Sequence, residues 1–517
     1  MTTNSDTISA VQSGYAFDGP AIELGTLLVD GKPEPTAQVR IPLAMMNRHG
    51  LVAGATGTGK TRTLQTLAEQ LSENGVPVFL ADIKGDLTGL TEPGAASDKL
   101  TARTAEIGQD WRPNSFPTEF YALGGQGGGM GSGIPVRATI TSFGPVLLSR
   151  VLGLNDVQES SLGLVFMFAD KNGLPLLDLK DLRSVIQFLT SEEGKTALAE
   201  LGGLSKQTAG VLLRELLTFE AQSGDAFFGE PEFETSDLLR TGQDGRGVIS
   251  CLELPSVQDR PLLFSTFVMW LLAELFQTLP EVGDLDKPKL VFFFDEAHLL
   301  FDGASKTFLE SVVRAVRLIR SKGVGIFFVT QTPKDVPGDV LAQLGSRIQH
   351  ALRAFTPDDA KALKATVSTF PKSSYDLAEV LTSLGTGEAV VTVLSDKGVP
   401  TPVAWTRLRA PQSLMAAADP SAVAKVIEAS PLRPKYATAI DRESAYEMLA
   451  ARAARAEPAA AEPTAAEPDA KAETPRGKVP EQRQGLVQQV LGSPAAKSMA
   501  QSIGKEITRS IFGTRRR

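Results

Sequence analysis

Residues 51–61 read LVAGATGTGKT, and the reading of this stretch decides the fold. Gly54, four spacers and then Gly59-Lys60-Thr61 make a complete phosphate-binding loop. Its glycines let backbone N–H groups close around the β- and γ-phosphates at a helix N-terminus. Lys60 reaches the terminal phosphates, and the Thr61 hydroxyl can ligate Mg²⁺. Both flanks agree with the loop. His49 to Ala53 is a short, mostly apolar run suited to a buried strand, while Leu64, Leu67, Ala68 and Leu71 recur at helical spacing until Asn74-Gly75 stops them. The pattern predicts strand, loop and helix, with ATP and Mg²⁺ as the cofactors. Gly54, Ala55, Thr56, Gly57, Thr58, Gly59, Lys60, Thr61 and Arg62 are the nucleotide-binding candidates.

Around this centre the chain is long, at 517 residues, and is expected to hold two or three domains. A net charge of −8 excludes a surface that coats nucleic acid everywhere, so any DNA contact must sit on a local basic patch or in a channel. Cys251 is the sole cysteine, which excludes an intramolecular disulfide and fits a reducing compartment. The first thirty or so residues lack the apolar core of a secretory signal, so a cytoplasmic location is expected. The apolar run Leu262 to Ala273 is too short to span a bilayer and reads as a buried helix.

The fold class expected is α/β, a RecA-like P-loop NTPase core with a mainly parallel sheet. Residues 1–40 read as an N-terminal segment, flexible to about residue 18 and then a small β element turning at Asp30-Gly31-Lys32. Residues 41–141 are the first part of the core, in which Pro77 to Asp82 is a second apolar strand and the helix between the two strands implies a parallel βαβ unit. A glycine-rich run at 124–133 reads as a surface loop. From 142 to 240 the spacing becomes helical, with Leu179, Leu182, Val185, Ile186 and Leu189 on one face, and a helical insertion is expected. Residues 241–410 return to the core and 411–450 extend it with helices. An alanine-, proline- and glutamate-rich linker at 451–484 cannot bury a core. At 485–517 Met499, Ile503, Ile507 and Ile511 stand four apart beside Lys505 and Arg509, an amphipathic helix with a basic end. Docking on its own or a neighbouring subunit is preferred over a membrane surface.

The chemistry gathers downstream. Val291 to Phe294 form an apolar strand that delivers Asp295 to the Mg²⁺ shell and Glu296 to the attacking water, so hydrolysis is the reaction this pair suits. Asp295-Glu296-Ala297-His298 spells the box of one large helicase superfamily. The long separation from Lys60, and no glutamine-plus-paired-arginine motif downstream, argue against that membership. Gly325 to Thr330 form a further strand ending at Gln331, a candidate γ-phosphate sensor. Arg314, Arg317 and Arg320 recur on one helix, and Arg347 follows the sensor strand. The catalytic candidates are Lys60, Glu296, Gln331, Arg320 and Arg347, and the metal candidates are Thr61 and Asp295.

Several of these stretches together resemble the HerA-like branch of the FtsK–HerA superfamily of P-loop translocases, and within it the bacterial YjgR group. They are Asn47-Arg48-His49-Gly50 leading into the loop, Asp82 to Leu87, Lys289 to Phe301, Ile319 to Gly323 leading to Gln331, and Arg347 to Pro357. The resemblance spans about residues 40 to 410, with a weaker match in the tail from Ile503 to Gly513. It implies a RecA-like core, ATP hydrolysis and a homo-oligomeric ring, usually a hexamer, with an arginine acting across each subunit junction. Arg320 falls at the matching position. DNA is the expected cargo. The rivals are an ATPase that threads or remodels a protein, and a nucleotide-driven switch or scaffold that moves nothing. A nuclease or other protein partner is left open.

Overall fold

The computed structural model describes residues 4–123, 133–198, 203–221, 227–254, 261–302 and 306–456. Most of the glycine-rich run at 124–133, most of the linker and the whole C-terminal helix therefore lie outside the described residues. Two compact units divide the chain: residues 1–138 with 221–440, and residues 139–220 with 441–517.

The first unit is built on strands that the sequence writes as short apolar runs. They are β1 (Ala21–Val29), β2 (Lys32–Pro42), β3 (Gly50–Ala53), β4 (Val78–Asp82), β5 (Thr118–Leu123), β6 (Ile134–Val136), β7 (Ile249–Glu253), β8 (Leu290–Phe294), β9 (Val324–Thr330), β10 (Ser346–Gln349), β11 (Glu388–Thr392) and β12 (Ala404–Leu408). One sheet takes all twelve, in the order β2-β1-β12-β11-β10-β3-β9-β8-β4-β7-β5-β6. Pairing is parallel from β10 through β6 and antiparallel from β10 back to β2. Every residue of β3, β4, β8 and β9 is buried, which is why these strands read as unbroken apolar runs rather than alternations. Their phenylalanines pack ring on ring across the sheet: Phe79 against Phe292, centroids 5.1 Å apart, and Phe294 against Phe328, 5.9 Å apart.

Helix α2 (Lys60–Glu73) joins β3 to β4, which run parallel as expected, but β9 and β8 come between them. That crossover puts the ends of β3, β9, β8 and β4 in one row, and their C-terminal ends carry the phosphate loop, Gln331, Asp295-Glu296 and the turn after Asp82. Buried Glu69 fixes α2 from behind, its carboxylate accepting the N–H groups of Gln412 (2.8 Å) and Ser413 (3.0 Å).

Several sequence expectations need correcting. Residues 4–14 are not a flexible start but a helix, α1 (Asn4–Gly14). Ile8, Val11 and Tyr15 share one face of it, Val11 and Tyr15 are buried, and the Tyr15 hydroxyl donates to the Pro402 carbonyl at 2.9 Å. The β1–β2 hairpin is not a separate element before the core, because β1 pairs with β12 and extends the main sheet. The helical insertion ends near residue 220 rather than 240. Phe227 and Phe228 are buried in the first unit, Phe227 lying 5.4 Å from Trp270, and Arg240 donates to Glu119 at 2.6 Å. The extension expected at 411–450 divides at 440/441 between the units.

In the second unit, among the described residues, five helices run between Ile140 and Ala221, and Ala445–Ala456 adds another, reaching into the expected linker. Leu179, Leu182, Val185, Ile186 and Leu189 are all buried, as their spacing requires. Asp181, also buried, ties the unit's two chain segments together: it accepts from Leu177 N (2.9 Å), Tyr446 N (3.0 Å) and the Ser444 hydroxyl. Among the described residues no helix is long and apolar enough to cross a membrane.

Candidate nucleotide-binding site

The loop between β3 and α2 takes a shape that only its glycines permit. Gly54 and Gly59 hold φ values of 156° and 109°. A Cβ on Gly54 would lie 2.5 Å from the His350 Cβ, and one on Gly59 would lie 3.3 Å from the Gly387 nitrogen. The loop is thus seated on its neighbours: Gly54 N–H donates to the Thr330 carbonyl (3.2 Å), Ala55 N–H to Ala351 (2.8 Å), and Gly387 N–H to Thr58 (2.9 Å). Inside the loop the buried Lys60 ammonium donates to the Gly54 (2.6 Å) and Ala55 (3.2 Å) carbonyls. Burial pulls its pKa down, against the pull of Glu296 and Asp295, which favour the charged form.

Asp295 and Glu296 follow β8 directly, and Ala297 N–H donates to the Val329 carbonyl in β9 (2.9 Å), locking the acid pair to that strand. Asp295 is 3% exposed. Its Oδ1 accepts the Glu296 N–H at 2.9 Å, and its buried Oδ2 has no hydrogen-bond partner. Burial first, and the neighbouring Glu296 charge after it, push its carboxyl up to about 6, with Lys84 pulling the other way. An orphaned, desolvated carboxylate oxygen beside a phosphate loop fits a Mg²⁺ ion, whose charge would replace the missing partner.

Glu296 sits in a left-handed conformation, φ 47°, uncommon for a residue with a side chain. Its Oε1 accepts from the Lys84 ammonium, and its Oε2 lies 3.3 Å from His298 Nδ1. Burial alone would raise its pKa, but the Lys84 hydrogen bond and charge outweigh that and hold it below the ordinary value. Lys84 projects from a turn fastened by Asp82, whose carboxylate accepts the N–H groups of Lys84 (3.2 Å), Gly85 (2.8 Å) and Leu87 (2.9 Å).

Gln331 is exposed at the end of β9, next to the Thr330 carbonyl that receives Gly54 N–H. The Asp335 carboxylate pins this corner, accepting from the Thr330 hydroxyl (2.7 Å) and from Thr332 N–H (3.1 Å). Both arginine candidates lie elsewhere. Arg320 precedes β9 and Arg347 is the second residue of β10, whereas the phosphate loop lies beyond the far ends of these parallel strands. The seven residues of β9 alone span about 23 Å, so Arg320 cannot reach the phosphates bound by its own chain. It is exposed, beside His49, Arg48 and Arg317 in a cavity of about 720 Å³. Arg347 is half-buried and donates to the Thr369 carbonyl at 3.3 Å.

His350 is a residue that sequence reasoning placed in a motif without giving it a role. Fully buried under the loop, it has Nε2 3.0 Å from the Thr63 hydroxyl and Nδ1 3.1 Å from the Thr58 carbonyl. Burial, then the nearby Lys60 charge, lower its pKa from 6.5 to about 4. A folded value below the unfolded one means that stability is complete above pH 6.5 and is lost as pH falls toward 4. Between pH 7 and pH 5 His350 is expected to cost the fold about 2 kcal/mol. The raised carboxyls of Asp82 and Asp295 act in the opposite sense over this range, so the measurement is a difference. Urea unfolding of the parent and of His350→Gln at both pH values should show the stability gap narrowing by that amount, and a constant gap overturns the assignment.

The model of the family described as "Helicase HerA-like C-terminal" matches residues 28–517. The chain belongs to the HerA-like P-loop ATPase family. Among its relatives, the DNA double-strand break repair helicase HerA of Sulfurisphaera tokodaii is 35% identical over 377 residues, 71% of this chain and 66% of that protein. The corresponding helicase of Sulfolobus acidocaldarius is 23% identical over 359 residues, 68% of this chain and 64% of its own length. The HerA-like chain thus spans about two thirds of the length of these relatives. Among solved structures, the unbound bacterial conjugative coupling protein TrwBdeltaN70 is similar in fold, with a TM-score of 0.51 and 15% identity over 79% of this chain and 94% of that one.

Proposed function

We propose that this HerA-like protein hydrolyses ATP with Mg²⁺ and uses the energy to move along DNA as a homo-oligomeric ring. The observation that carries the hydrolytic part is the row of strand ends that brings Lys60, Asp295, Glu296 and Gln331 to one edge of the sheet. An incoming triphosphate would take over the Lys60 donors now spent on Gly54 and Ala55, and would lie against the loop's N–H groups. Thr61 and the unpartnered Asp295 Oδ2 would hold Mg²⁺. That ion would supply positive charge against the negative charge that grows on the phosphate oxygens. Glu296 orients the attacking water and accepts its proton. Gln331 contacts that water or the γ-phosphate.

Two features support assembly. Arg320 is exposed at the strand ends opposite its own phosphate loop, out of reach of its own nucleotide, which supports a role toward a neighbour's. In a ring of identical subunits the same face recurs at every junction, which closes the arrangement. DNA as cargo is supported by the relatives' description as DNA repair helicases. The net charge of −8 confines the contact to a local surface such as the ring lumen.

ATPase rates measured with single-stranded DNA, duplex DNA, RNA and no nucleic acid test the reading. DNA should stimulate hydrolysis, and stimulation should fall steeply between about 50 and 200 mM salt as phosphate contacts are screened. Rates indifferent to DNA at every salt concentration would remove DNA as the cargo while leaving the ATPase intact.

A further inference from the structure

The resting position of Glu296 does not suit the role given to it. Its Oε1 is occupied by the Lys84 ammonium, and its Oε2 is buried facing His298. With Lys84 on Oε1 and Oε2 buried without a hydrogen-bond partner, the carboxylate offers little access to a water molecule while Lys84 stays in place. The Lys84 side chain is 39% exposed and approaches from the open side, over a Glu296 side chain that is 7% exposed. Lys60, at the start of α2, and Lys84, in the turn after β4, both feel the charges of Asp295 and Glu296, and Lys60 also feels that of Lys84. The Asp82 carboxylate, accepting three N–H groups, holds the turn that carries Lys84, so only the side chain is left to move.

We propose that Lys84 is a second phosphate ligand, which rests on Glu296 in the empty site and transfers to the γ-phosphate when ATP binds, releasing Glu296 to hold water. This rests on the ATP-hydrolysis reading above and adds to it a discriminator between nucleotides. ADP has no γ-phosphate, so it leaves Lys84 on Glu296 and the base remains blocked. ATP offers the ammonium a partner of greater charge, and its arrival unblocks the base. A P-loop lysine is then joined by another that responds only to the terminal phosphate.

The experiment compares binding of AMP-PNP and ADP, each with Mg²⁺, to the full-length parent, Lys84→Met, Lys84→Arg and the double variant Lys84→Met/Glu296→Gln. A charge-assisted hydrogen bond to phosphate corresponds to roughly 10- to 100-fold in affinity. Lys84→Met should lose about that much for AMP-PNP, with ADP affinity unchanged, and Lys84→Arg should recover most of it. The same selective loss should persist when Lys84→Met is made in the Glu296→Gln background. If Lys84 only props up Glu296, the loss disappears in that background, and the proposal is overturned. Equal losses for both nucleotides, or none, overturn it too. Lys84→Gln, which keeps a polar side chain, serves as a second variant should Lys84→Met melt early. Failure of the parent to bind either nucleotide sinks the ATP reading as well. A parent that binds both, with Lys84→Met indistinguishable from it, sinks Lys84 alone.

Discussion

Replacing Arg320 with alanine is expected to lower ATP hydrolysis by roughly 10³- to 10⁵-fold while leaving nucleotide affinity nearly unchanged. Phosphoryl transfer spreads negative charge over the terminal oxygens, and an arginine delivered from a neighbouring subunit stabilises that charge by about this factor. The position makes the expectation specific. Arg320 stands at the end of the sheet where β9 begins, and its own phosphate loop stands beyond the end where β3 stops, so any contact with a γ-phosphate must cross a subunit junction. The alternative is an arginine on a solvated face, worth at most about 1 kcal/mol, and mixing decides between the two. Arg320→Ala subunits and Lys60→Ala subunits, each inactive alone, should partly restore hydrolysis when co-assembled, because some junctions then pair an intact loop with an intact arginine. Near-parental activity of Arg320→Ala alone, or no recovery in verified mixed rings, would eliminate Arg320 and leave Arg347, whose guanidinium is already committed to the Thr369 carbonyl.

The second large effect separates binding from chemistry. Lys60→Ala removes the ammonium around which the loop is folded and should abolish measurable ATP binding. Glu296→Gln keeps the size of the side chain but loses the base, and should slow hydrolysis by roughly 10²- to 10⁴-fold with ATP still held. Nucleotide binding by fluorescence titration beside steady-state ATPase rates reads both quantities. Equal loss of affinity in the two variants would mean that Glu296 is part of the binding surface and not the group that orients water.

Much of this site could be read from residues alone because its motifs encode backbone geometry and charge at fixed spacing. Gly54, Gly59, Lys60 and Thr61 announce a phosphate loop, and an apolar run ending in Asp295-Glu296 announces its partner. What stayed hidden depends on which distant segments come together. Lys84 lies 212 positions from Glu296, and His350 lies 287 from Thr63. No local period reports such contacts, although both residues stand at the mouths of apolar strands where a site was to be expected. Boundaries failed for a related reason. Helix α1 is short and polar on most faces, and only its docking through Val11 and Tyr15 makes it part of the fold. Residues 227–240 follow a helical stretch in sequence but bury Phe227 against Trp270 and Phe267 and Phe233 against Tyr121.

The strand order has a consequence for how the chain is made. β3 carries the phosphate loop from its end at Ala53, yet its two hydrogen-bonding neighbours are β9 and β10, which end at Thr330 and Gln349. A ribosome therefore releases the loop's sequence early and its flanking strands late, and at about 5 to 20 residues per second the gap lasts tens of seconds. Over that interval both strands that pair with β3 are still missing, and the loop lacks the Thr330 and Ala351 carbonyls that seat it. The sheet around the loop is therefore complete only once about two thirds of the chain has been made.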